Sequence, residues 1–149
     1  MLENYVVIDL EMTGLNAKTD RILEVAAVRV RDGKEESFFS AVVNPEVTLS
    51  EKVMSLTGIS QREADAGCPM DETIQKFLEF LGEDVLVGQN IIFDYSFLKR
   101  AFINEKMPFE RKGIDTLKLA RQFVTDCESK KLESLCKHYE IKHQAHRAL

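Results

Sequence analysis

Two acids, Asp9 and Glu11, stand one residue apart at the end of Tyr5-Val6-Val7-Ile8-Asp9-Leu10, a short β-branched run that reads as a buried strand. Side chains alternate along a strand, so both carboxylates project from the same face. Adjacent carboxylates repel unless something positive joins them, and Mg²⁺ suits hard oxygen donors. Alone, such a pair is more often two rim acids in salt bridges. Met12-Thr13-Gly14-Leu15 follows as a flexible turn whose backbone could approach a ligand closely. A third acid, Asp94, falls in the first turn of a predicted helix, where an acid ordinarily serves the helix dipole. If the strand before that helix lies parallel to the first, Asp94 reaches the same carboxyl edge, where ligands of α/β sheets gather. His146 lies near an expected helix start, whereas His138 and His143 read as ordinary surface residues.

The elements that must position these groups follow from periodicity. Ile22 to Arg31 reads as a second strand, Asp32-Gly33 as a tight turn, and Ser37 to Val43 as the returning strand. Ser50 to Leu56 predicts a short helix stopped by Thr57-Gly58. Ile74, Phe77, Leu78 and Leu81 recur at helical spacing between Pro69 and Gly82. Val85-Leu86-Val87 is then a strand, and the helix after it carries Phe93, Phe97, Ala101 and Phe102 on one side. Two further helices are expected over Thr116 to Val124 and Lys131 to Tyr139, the latter with Leu132, Leu135, Cys136 and Tyr139 on one face. A meander followed by alternating helices and strands indicates one mixed α/β domain over residues 1–149.

Composition narrows the chemistry. The 149 residues carry 20 Lys and Arg against 25 Asp and Glu, a net charge of −5. A protein that wraps duplex by neutralising many phosphates needs a basic stripe, so that class is disfavoured. An acidic site that grips only a strand end through divalent metal stays open. Three widely spaced cysteines, Cys68, Cys127 and Cys136, match no zinc spacing and suit a reducing cytosol. No apolar run approaches a membrane span and the first residues lack a signal-peptide pattern, so a cytoplasmic protein is expected.

Taken together, Ile8 to Leu15 (IDLEMTGL), Gly88 to Leu98 (GQNIIFDYSFL) and His146 to Leu149 (HRAL) resemble the three exonuclease motifs of the DEDDh superfamily, which includes the proofreading epsilon subunit of bacterial replicative polymerases. Leu56-Thr57-Gly58-Ile59 is similar to the family's L-T-G-I segment, and Lys131 to Leu135 to its pre-histidine helix. Each motif is weak singly; three in order over nearly the whole chain are specific. Gln89-Asn90 stands where the second motif commonly has His-Asn. Asp9 to Leu15 is closer to the oligoribonuclease branch, while L-T-G-I and Phe93 to Leu98 look like the epsilon branch.

The resemblance implies an RNase-H-like mixed sheet, an antiparallel three-strand meander plus parallel strands, with helices on both faces. It also implies 3′→5′ release of mononucleotides from single-stranded DNA ends, with short RNA as the second substrate class. By the family mechanism, Asp9 bridges two Mg²⁺ or Mn²⁺ ions, Glu11 holds the one that activates water, Asp94 serves the other, and His146 is the general base. Thr13, Gly14 and Leu15 are expected to cradle the terminal nucleotide, and Leu56, Thr57 and Phe97 to lie against it. Phe97 has core packing as an equal expectation. A DNA polymerase subunit is the implied partner. The third motif's acid would lie two positions beyond Leu149, so a chain ending there is expected to bind metal incompletely and to be less active. A non-catalytic nucleic-acid-binding module of the same fold is the alternative from outside the enzymes.

Overall fold

A computed structural model describes residues 2–142. Five strands form one mixed sheet in the order β3-β2-β1-β4-β5. β1 (Tyr5–Met12), β2 (Ile22–Arg31) and β3 (Lys34–Val42) build the antiparallel meander. Asp32 and Gly33 link β2 to β3 with φ of 50° and 71°, the left-handed pair that a two-residue hairpin turn requires. β4 (Leu86–Gly88) runs parallel to β1, and β5 (Gly113–Asp115) parallel to β4. The sheet and its neighbours are those of an RNase-H-like α/β fold.

Several boundaries differ from expectation. β1 continues past Leu10 to Met12, so Glu11 pairs with Glu24 of β2 and is part of the ladder. β3 starts at Lys34 because the hairpin zips up from its turn, ahead of the first apolar residue of the run. β5 and the helix α2 (Gln61–Asp65) were not anticipated; three and five residues are too few to show a period. α2 has a purely local cause, a capping box in which Ser60 and Glu63 satisfy each other's backbone N–H.

The remaining helices are α1 (Glu51–Thr57), α3 (Met70–Leu81), α4 (Ile92–Asn104), α5 (Thr116–Phe123) and α6 (Leu132–His138). Ser50 caps α1 by accepting from Val53 N, and Gly58 ends it at a φ of 69°. α3 and α4 cover one sheet face, packing Ile74, Phe77, Leu98 and Phe102 onto Val6, Ile8, Leu10 and Val25. On the other face Leu23 meets Leu49, Ile59 and Ala64, at α1 and α2. α6 departs from its predicted apolar stripe: Leu135 is buried and Cys136 half-buried, but Leu132 and Tyr139 are exposed. Its contact with the body is therefore narrower than its period implies. Among the described residues no helix is long and apolar enough to cross a membrane, and all three cysteines are free thiols.

Candidate active site

The alternation of β1 sorts its residues between the two faces. Val6, Ile8 and Leu10 enter the core under α3 and α4, which leaves Asp9 and Glu11 on the opposite side, beside Ala26 and Glu24 of β2. β4 pairs with β1 through Val6–Leu86 and Val7–Val87 and ends at Gly88, so β1 runs on beyond its parallel neighbour. There the Leu10 N–H donates to Asp94 Oδ1 at 3.2 Å, across 84 residues of sequence. The close approach depends on Gly88. A Cβ at that position would stand 3.2 Å from the Ile8 carbonyl oxygen and equally near the Ile91 side chain, so any side chain there would make these neighbours give way by a few tenths of an ångström.

Asp94 is thus no ordinary helix-dipole acid. It is 7% exposed, and burial together with the charge of Asp9 pushes its carboxyl up to about 7, against the pull of its own and the Leu10 backbone N–H groups. Asp9 lies on the open side of the edge, and its carboxyl too is raised, by desolvation opposed by the Leu10 N–H. A carboxyl whose proton affinity is raised by burial and by a neighbouring carboxylate gains from a cation placed beside the two. Glu11 is half-buried on the same face as Asp9. The three acids do not close into a cage: among the described residues no group of three His, Cys, Asp or Glu side chains is placed to hold a metal ion.

A stability prediction follows from Asp94. Its proton affinity in the folded chain exceeds that of an ordinary carboxyl, so between about pH 4 and 7 the folded state binds the extra proton and stability falls as pH rises. Above that range the full cost, on the order of a few kcal/mol, is present. Asp94→Asn keeps an oxygen for the Leu10 N–H and removes the charge. In the absence of divalent ions the variant is expected to melt higher than the parent at pH 8 and equally at pH 4. A variant that melts lower at both pH values would contradict the burial argument.

The remaining sequence-predicted positions fall into two groups. Leu15 and Leu56 are 83% and 61% exposed, unsupported apolar surface that a nucleotide could cover. Thr57 requires correction, and of the two expectations for Phe97 the structure shows core packing. Thr57 is 3% exposed, its hydroxyl donating to Val53 O and accepting from Ile59 N, so it terminates α1 and has no free face. Phe97 is 2% exposed and belongs to the core under α4, its ring edge-on to Phe93. The turn after Glu11 is also less loose than its composition suggests. Thr13 N bonds Arg21 O and Thr13 Oγ1 accepts from Arg21 N, closing the loop at its base, and Asn16 N bonds the Asp20 carboxylate. Gly14 lacks a side chain where Asp20 crosses, so its smallness serves the loop itself. His143 and His146 lie outside the described residues.

Glu24 is the position that sequence reasoning passed over. It is 3% exposed and sits directly across from Glu11. The signal was present, since an acid inside ILEVAAV interrupts an otherwise apolar strand.

The whole of this edge matches known proteins. Residues 6–149 match the model of the RNase_T family, described as exonuclease. The chain belongs to this family of DEDDh-type 3′→5′ exonucleases. Asp9, Glu11, Asp94 and His146 all fall within the matched span. Among curated relatives, the PolC-type DNA polymerase III of Clostridium perfringens is 36% identical over 144 residues, covering 97% of this chain and 10% of that protein. That of Bacillus subtilis is 38% identical over 150 residues, covering 99% and 10%. The exonuclease chain thus spans about a tenth of the length of these relatives. Among solved structures, exonuclease I superposes with a TM-score of 0.85 at 20% identity, over 99% of this chain and 38% of the other. The complex of E. coli exonuclease I with a dT13 oligonucleotide gives 0.85 at 19%, over 99% and 38%. At such identity these superpositions establish the fold.

Proposed function

We propose that the chain, as one exonuclease domain, removes nucleoside monophosphates from the 3′ end of single-stranded DNA in a divalent-metal-dependent hydrolysis. The observation that carries this reading is the Asp9–Asp94 pair at the shared carboxyl edge of β1 and β4, with the Asp94 carboxyl raised to about 7 by burial and by Asp9. Such a pair suits a hard cation, which neutralises both groups. Asp9 and Asp94 would hold Mg²⁺ or Mn²⁺, with Glu11 drawn in from the same face of β1 as Asp9, and the ion when bound polarises phosphate oxygens and lowers the pKa of water. His146 supplies an imidazole nitrogen to take the water proton. Leu15 and Leu56 give apolar surface for bases without selecting among them, in keeping with a sequence-neutral enzyme.

Two further parts of the reading lean on the relatives. Exonuclease I has been seen with single-stranded oligonucleotides and in a zinc-bound single-stranded DNA complex, which supports a single-strand substrate and a metal requirement here. The PolC-type relatives support a cytoplasmic setting beside a DNA polymerase, with proofreading as the role.

The test is release of mononucleotides from a 3′-labelled single strand with Mg²⁺, with Mn²⁺ and with EDTA. Release is expected with either ion and none with EDTA. A dinucleotide RNA run in parallel separates the oligoribonuclease reading favoured by Asp9 to Leu15. Faster hydrolysis of that dinucleotide would move the substrate to RNA. Binding of the labelled strand without any release, at saturating metal, would replace the enzyme by a binding module.

A further inference from the structure

The segment that presents Asp94 and the segment that leads to His146 are distant in sequence, and Gln89 joins them. Gln89 follows β4 and is half-buried. Its Nε2 donates to the Lys130 carbonyl at 3.1 Å, and its Oε1 accepts from Thr116 Oγ1 at 2.6 Å. The amide's orientation is fixed by chemistry: a carbonyl only accepts, so the NH₂ must face Lys130. Next to it, Asn90 has a φ of 58°, and its N–H donates to Asp115 Oδ1 at 3.0 Å. The same oxygen caps α5 through Leu117 N at 2.9 Å. Two residues between β4 and α4 therefore grip both the start of α5 and the approach to α6.

The Lys130 end of this link is itself braced. The Lys130 ammonium donates to the Cys127 carbonyl, and Cys127 Sγ donates to Ser129 O at 3.1 Å. Lys131 then opens α6. A loop held within itself moves as a unit, and among the described residues the hydrogen bond by which it reaches the end of β4 comes from Gln89. Because α6 exposes Leu132 and Tyr139, apolar packing alone holds it weakly, which raises the weight of that one bond.

We infer that Gln89 is a positioning residue: its amide fixes where α6 stands against the body of the protein, and α6 is the helix that leads in sequence to His146. The inference rests on the proposed role of His146 as base. A surface amide of no consequence would face solvent; this one spends its donor and its acceptor on two separate segments.

Gln89→Glu tests it in the full chain. The substitution keeps shape and the acceptor for Thr116 but turns a carboxylate oxygen toward the Lys130 carbonyl. The kcat for mononucleotide release is expected to fall roughly 10–100-fold, the scale of a displaced catalytic group, with the Mg²⁺ dependence unchanged. In a His146→Ala background the same change should cost less than about threefold, because both act through one group. Gln89→His, which restores a ring N–H donor, should recover most of the rate. Amide hydrogen exchange in residues 127–142 should accelerate in Gln89→Glu while β1 to β3 stay protected. Unchanged exchange in that segment, or losses that multiply fully in the double variant, would overturn the inference. If His146→Ala is slow but Gln89→Glu is not, the positioning role alone falls. If His146→Ala turns over normally, the proposed base falls and takes the positioning role with it.

Discussion

Asp9→Ala is expected to remove nearly all hydrolysis, roughly 10³-fold or more, while leaving the chain folded. The size of the effect follows from what the carboxylate would do: transition-state stabilisation supplied through a metal amounts to several kcal/mol, and Asp9 is the acid that reaches Asp94 electrostatically. The fold should survive because Asp9 lies on the open face of β1 while the core is built by its neighbours Ile8 and Leu10. Removing one of two mutually repelling acids also lets Asp94 ionise at lower pH, which relieves part of its cost in the folded state. At pH 8 without divalent ions the variant should therefore melt at or above the parent. Added Mg²⁺ stabilises the parent by mass action and should do so far less for the variant. Three measurements decide the matter together: turnover, melting without metal, and the rise in melting temperature with metal. Full turnover in the variant would end the assignment. A lower melting temperature without metal would show instead that Asp9 holds the sheet.

Those contrasts draw on residues that were unequally legible in the sequence. Asp9 and Glu11 could be placed on one face because a strand has a period of two, and the pairing of Glu11 with Glu24 bears that face out. Asp94 was ambiguous, since its position in the first turn of α4 fits a helix-dipole role equally well. What decides is long-range: β4 stops at Gly88, and the freed Leu10 N–H turns to a side chain from the next helix. No local pattern encodes where a strand outruns its neighbour. Thr57 failed as a substrate contact, and Phe97 stayed open between base and core, for a related reason. Both stand next to motif residues, but adjacency in sequence does not fix which side of a helix faces outward. The hydroxyl of Thr57 is taken by the end of α1, and Phe97 sits three residues after Asp94, on the core side of α4. Gln89 was visible only as a departure from the family motif; its two partners, 27 and 41 residues away, needed the fold.

His146→Ala is expected to slow the chemical step by roughly 10²–10⁴-fold without weakening metal binding. The expectation rests on the place of His146 at the head of the third motif and on the chemistry of imidazole, whose unperturbed pKa lets it accept a proton near neutrality. The pH profile carries a complication that the structure exposes. Asp94 has its carboxyl raised to about 7, close to where an unperturbed imidazole takes up its proton, and both groups would have to be deprotonated. An imidazole must be neutral to take a proton, and Asp94 must be ionised to hold a cation, so activity rises with pH on either account. Metal separates them. A divalent ion competes with the proton on Asp94, so raising Mg²⁺ to saturation moves that limb to lower pH. The limb belonging to His146 has no such competitor and should stay where it was. The parent at saturating Mg²⁺ is therefore expected to keep one rising limb near neutral pH, and His146→Ala to lose it along with most of its rate. Added imidazole should return part of that rate, since the missing function is a proton acceptor and not a structural contact. Were the variant instead to need much more Mg²⁺ and then turn over at the parental rate, His146 would be a ligand of the metal and the base would have to be sought elsewhere.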